Sequence, residues 1–97
     1  MEKTENTFKF NRVFMHNDTQ DVVFSEVEPL IQSFIDGFNV CIFAYGQTGS
    51  GKTHTMIGEG GIVSRSADMV FRNARDLLTQ MSCYEIHIEM VRDLLFP

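Results

Sequence analysis

The order of elements legible in this sequence, strand, helix, strand, loop, helix, strand, predicts an α/β layer fold. Three observations carry that prediction. The run NVCIFAY at 39–45 is nearly continuous apolar sequence with β-branched members, the pattern of a strand covered on both faces in a parallel sheet. It leads straight into a glycine-rich loop, GQTGSGKT at 46–53. Two stretches, 20–36 and 64–80, repeat apolar residues at helical spacing.

The first strand is expected at 7–14, where TFKFNRVF sets Phe8, Phe10 and Arg12 against Lys9, Asn11 and Val13 in a rough period of two. A polar break, HNDTQD, follows, with Asp18 or Thr19 available as an N-cap and Asp21 in the first helical turn, where a carboxylate suits the helix dipole. From Gln20 to Asp36, Val23, Val27, Leu30, Ile31, Phe34 and Ile35 share one helical face, and Gly37 is placed to end the helix in a left-handed conformation. Pro29 removes a backbone donor inside that helix and is expected to bend or split it near 25–28.

After the loop, KTHTMIG starts a helix that soon meets the turn-rich GEGG at 58–61. Ala67, Val70, Phe71, Ala74, Leu77 and Leu78 then form one buried stripe between Ser64 and Gln80, with Arg65, Arg72, Asn73 and Arg75 mostly off it. SCYEIHIEM, 82–90, alternates Tyr84, Ile86, Ile88 and Met90 against Cys83, Glu85, His87 and Glu89, which predicts a strand with one apolar face, and VRDLLFP turns off it.

Composition narrows the function. A chain of 97 residues with 43% apolar and 22% charged residues is one globular domain at most, neither disordered nor fibrous. Its net charge is −5 and its bases are scattered, so no electrostatic footprint for nucleic acid exists. Cys41 and Cys83 have neither metal-ligand spacing nor a secretory leader before them, and are expected to be reduced, buried thiols. The longest apolar run, Val40 to Tyr45, is too short to span a bilayer, and the start lacks the order of a signal peptide, so a cytosolic or nuclear compartment is expected.

The loop carries the chemistry. Holding a triphosphate requires many hydrogen-bond donors facing one concave spot without side chains in the way. Gly46 permits the departure from the preceding run, while Gly49 and Gly51 let the backbone come close to phosphate and adopt positive φ, forming an anion nest. A helix beginning near Lys52 would add its positive dipole end. Lys52 supplies a mobile charge for β and γ oxygens, and the Thr53 hydroxyl suits the Mg²⁺ that bridges them. The spacing Gly-x-x-x-x-Gly-Lys-Thr is present without a mismatch.

FKFNRVF, DGFNVCIFAYGQTGSGKTHTM, GIVSR and YEIHIEMVRDLL, in this order, resemble the kinesin motor domain, and VEPLIQSFIDGFNVCIFAYGQTGSGKTHTM is most similar to its branch with C-terminal motors. The resemblance implies a partial P-loop NTPase three-layer fold with a central, mostly parallel sheet, incomplete in this chain, so that residues 1–97 are part of a motor domain. It implies ATP and Mg²⁺ as ligands. Gly46, Gln47, Thr48, Gly49, Ser50, Gly51 and Lys52 would wrap the phosphates, Thr53 would meet the magnesium and His54 would lie against adenine. Microtubules are the implied partner and the cytoplasmic cytoskeleton the implied location, with the microtubule-facing elements outside these residues; neither nucleic acid nor membrane is implied.

The sequence departs from the family at Ser64 and Ser66, in place of proline and a small or apolar residue, and at His87 and Ile88, in place of tyrosine and asparagine. The loop at 58–61 and the link before Ser82 are short for the family. Hydrolysis needs a magnesium-side acid, a group that positions water and a sensor of the γ-phosphate. The family keeps these in two switch segments, and neither motif occurs in the 97 residues; FIDG at 34–37 serves better as a helix terminus, and VRDLL has an aspartate without the glycine. The leading expectation is therefore the ATP-binding segment of a kinesin-like, ATP-driven microtubule motor, a kinesin-type ATPase by resemblance that would not turn over as this chain alone and in which no catalytic residue is assigned. The alternative is a non-catalytic nucleotide-binding pseudo-motor or a truncated interaction module. A small-metabolite kinase would need an arginine-rich lid, and Arg65, Arg72 and Arg75 are better explained as a solvated helix face.

Overall fold

The computed structural model describes residues 4–96; residues 1–3, at the start read above for a leader, and 97 lie outside it. Helix α1 spans Gln20–Ile35, α2 Lys52–Met56 and α3 Ile62–Asn73; strands β1, Tyr84–His87, and β2, Met90–Asp93, follow.

The local signals at α1 act as chemistry requires. Thr19 is the N-cap, with extended backbone, though its hydroxyl makes no capping bond. Asp18 instead closes the preceding turn, its carboxylate accepting from the Met15 amide at 2.7 Å. Pro29 lies inside an unbroken helix, contrary to the expected split. At the far end the Phe38 amide donates to Ser33 and the Gly37 amide to Phe34, each at 3.0 Å, while Gly37 takes φ +103°. That pattern satisfies two carbonyls the helix would leave orphaned, and FIDG is thereby a helix terminus.

Helix α3 begins two residues before the expected start and ends at Asn73, well short of Gln80. The Asn73 side chain donates to the Met69 carbonyl at 2.8 Å, and Leu77 and Leu78 stay 63% and 91% exposed. A helical stripe propagates only while something covers it. Past Asn73 nothing among the described residues does. Helix α3 packs on α1, and the buried apolar side chains are one from each, Ile31 and Ile62.

The central parallel sheet is corrected by the structure. Among the described residues the only sheet is the antiparallel pair β1 and β2, with Tyr84 opposite Asp93 and His87 opposite Met90. Neither 7–14 nor 39–45 is a strand, and no backbone group of either segment takes part in a backbone hydrogen bond among the described residues. The three-layer arrangement is therefore absent from them. The reason lies in pairing: a strand needs a second backbone beside it, and parallel partners need a long crossover, whereas 84–87 and 90–93 close over two residues. Residues 90–93 thus run back along β1.

The result is an open molecule. Its Cα radius of gyration is 16.5 Å, against about 13 Å for a compact chain of 100 residues. Phe43 is 88% exposed and Tyr45 fully so. Cys41 is exposed and Cys83 half-buried; both are free thiols, which corrects the expected burial.

Candidate functional site

The glycine loop is built between the end of the apolar run and α2. Gly46, Gly49 and Gly51 take φ of +153°, +83° and +97°, so all three adopt a backbone that side chains resist. Gly51 is the N-cap of α2 in the left-handed region. A Cβ on Gly46 would lie 2.8 Å from the Ser50 hydroxyl. The turn is closed by the Ser50 amide donating to the Gln47 carbonyl at 3.1 Å.

Lys52 folds back into this turn, and its ammonium donates to the Gly46 carbonyl. Thr48, Gly49, Gly51, Lys52 and Thr53 line an open concavity of about 440 Å³. Gly46, Ser50, Gly51 and Lys52 also line a second one, of about 300 Å³, with Ala44, Tyr45 and Thr55. Gln47 and His54 line neither, and His54 is exposed on α2.

What this arrangement can do follows from its unspent donors. Among the described residues, the amides of Thr48, Gly49, Gly51, Lys52 and Thr53 make no hydrogen bond. These donors, beside a half-buried ammonium, suit a polyanion, so the residues present fit a polyphosphate. The dipole expected from α2 adds little, because that helix is five residues long. For a magnesium ion the hydroxyl expected to serve is that of Thr53, one of three in the loop with Thr48 and Ser50, and no group of three His, Cys, Asp or Glu placed to hold a metal occurs among the described residues. Other ligand positions would fall to phosphate and water, as is usual for this ion. A separate apolar cavity of about 320 Å³ between α1 and α3, lined by Ile31, Phe34, Val40, Ile42, Val70 and Phe71 among others, shares no residue with the loop.

Three residues take part in contacts to the segment that follows the motif. Gln20, at the start of α1, donates its side-chain amide to the His54 carbonyl at 2.7 Å. Arg65 pairs with Asp21 at 2.6 Å and donates from Nε to the Gly60 carbonyl. Arg65 is therefore not on a solvated face, while Arg72, paired with Asp68 at 2.7 Å, is. In the sequence Asp21 reads only as a first-turn acid and Arg65 as an off-stripe base; contacts between residues so far apart leave no periodic trace.

The chain matches the model of the kinesin motor domain over residues 1–97. It is 46% identical over 101 residues to kinesin-like protein KIN-14D of Arabidopsis thaliana, covering 91% of this chain and 13% of that protein. Against kinesin-like protein KIN-14B of Oryza sativa subsp. japonica it is 50% identical over 97 residues, covering 93% and 12%. Kinesin-related protein 2 of Dictyostelium discoideum is 41% identical over 104 residues, with 94% and 13% covered. The chain thus spans 12–13% of the length of these three curated relatives. No solved structure matches it.

Proposed function

Because the chain belongs to the kinesin motor-domain family, we propose that it is the ATP-binding part of a kinesin-like, ATP-driven microtubule motor. The observation that carries this reading is the unmismatched Gly-x-x-x-x-Gly-Lys-Thr loop, whose three glycines all take positive φ and whose lysine turns inward.

In this reading the amides of Thr48, Gly49, Gly51, Lys52 and Thr53 would hold phosphate oxygens, Lys52 would exchange the Gly46 carbonyl for a phosphate oxygen, and Thr53 would offer its hydroxyl to magnesium. Bound Mg·ATP supplies the charge that these donors neutralise and the bond whose cleavage drives a motor. Gln47 and Ser50 hold the turn through their own hydrogen bond, and His54 takes the base side. The residues are assigned to holding nucleotide, and none is assigned to catalysis. Microtubules as the partner, and the cytoplasmic cytoskeleton as the place of action, follow from the same family membership.

Titration of a fluorescent ATP analogue with magnesium tests the assignment. Lys52→Ala should weaken binding by about tenfold or more, the scale of losing a charge-assisted contact. Equal affinity for both forms would count against it.

A further inference from the structure

We infer that Gln20 and Arg65 are positioning residues for the phosphate loop, tying α2 and the turn behind it to the first turn of α1. The functional half of this inference rests on the nucleotide reading above; the positional half does not.

The geometry joins α2 and the turn after it to the packed pair of α1 and α3. Helix α2 is short, half-exposed, and packs only lightly on α3. At its end the Gly58 amide is shared between the Thr53 and His54 carbonyls at 2.9 and 3.1 Å. Gln20 gives the His54 carbonyl a second donor from across the fold. From the other side, one guanidinium spans two elements, with Nη1 on the Asp21 carboxylate and Nε on the Gly60 carbonyl. The guanidinium carries donors on separate nitrogens in a fixed plane, whereas a lysine presents all of its donors at one point. Gly60 leaves the room this needs: it takes φ +67°, and a Cβ there would stand 3.0 Å from Arg65 Nη2.

Gln20 and Asp21 are consecutive residues at the start of α1, so both ties end on the same helical turn. Residues 53–60 are thereby held at two carbonyls, His54 and Gly60, directly after Lys52 and Thr53. Asp21 is 77% exposed and Arg65 33%, so the ion pair alone contributes modestly; the tie works as a set of three bonds.

Amide hydrogen exchange in the nucleotide-free chain reads the positional claim directly. In Gln20→Glu, which cannot donate, and in Arg65→Met, the hydrogen-bonded amides of Ser50, Thr55, Ile57 and Gly58 should exchange about threefold to tenfold faster, with Gly37 and Phe38 at the α1 terminus unchanged. Arg65→Lys should fall between, since it restores charge without the fork. Unchanged exchange at those four amides, or acceleration spread equally to Gly37 and Phe38, would overturn the inference. The fluorescent ATP analogue then reads the functional claim: affinity should fall by a similar factor in the first two variants and partly recover in Arg65→Lys. Wild-type affinity in variants whose loop exchanges faster would overturn that half. If the wild-type chain binds no analogue while exchange responds as expected, the nucleotide reading falls and the positioning role stands.

Discussion

The ammonium of Lys52 donates to the carbonyl of Gly46, so the one charge in the glycine loop also closes the loop on itself. The same turn brings the Ser50 hydroxyl to where a Gly46 side chain would be. Sequence motif and loop closure thus share residues, and each can be disturbed without removing the lysine.

Gly46→Ala should therefore loosen the loop with every donor still present. Its φ of +153° and the 2.8 Å approach of Ser50 Oγ both oppose a Cβ. The cost should be about 1–3 kcal/mol of local stability, the range for a residue held in a disfavoured backbone region. Ser50→Ala in the same chain removes the clashing oxygen but not the backbone strain, so it should restore only part of the loss. Thermal melts of the single and double variants measure both. Full recovery in the double variant would show that φ at 46 carries no cost.

Helix α1 offers two opposing substitutions. Pro29→Ala restores a backbone donor in the middle of Gln20–Ile35 and should stabilise the helix by about 1–3 kcal/mol. Gly37→Ala should cost about 1 kcal/mol, and the cost should be conformational alone, because φ is +103° and nothing lies within 4 Å of the added Cβ. Gly37→Asn, which tolerates that conformation better, should cost less. Denaturant unfolding followed by far-ultraviolet circular dichroism orders the three variants. A Pro29→Ala chain no more stable than its parent would mean that Ser25 and its neighbours already compensate for the missing bond.

What could be read from the letters was what is local. The two ends of α1 are legible at Thr19 and Gly37 because a helix boundary is set within one turn of its own position, even though the Thr19 hydroxyl makes no capping bond. The loop was legible because positive φ and a following lysine are properties of single residues. Pairing is not such a property. The run 39–45 has the composition of a buried strand, yet Phe43 and Tyr45 stand in solvent, since no backbone among the described residues pairs with it. Likewise Leu77 and Leu78 keep helical spacing without a surface to cover, and the helix stops at Asn73. Gln20 and Arg65 were missed for the same reason, their partners being distant in sequence.

The hairpin shows how a missed turn can still be tested. The alternation of 82–90 predicted a strand, but nothing in Ile88-Glu89 marks a reversal, because two-residue turns favour glycine or asparagine where φ is positive. Ile88 nevertheless takes φ +59°, with His87 and Met90 paired on either side of the turn. A β-branched side chain there costs about 1–2 kcal/mol. Its side chain is 86% exposed, so little burial offsets that cost. Ile88→Asn should therefore slow amide exchange across Tyr84–His87 and Met90–Asp93 by about threefold to tenfold, corresponding to roughly 1 kcal/mol. Ile88→Val keeps the branching and should change exchange little. Equal protection in the asparagine and valine variants would mean that the turn is set by the strands rather than by the residue at its apex.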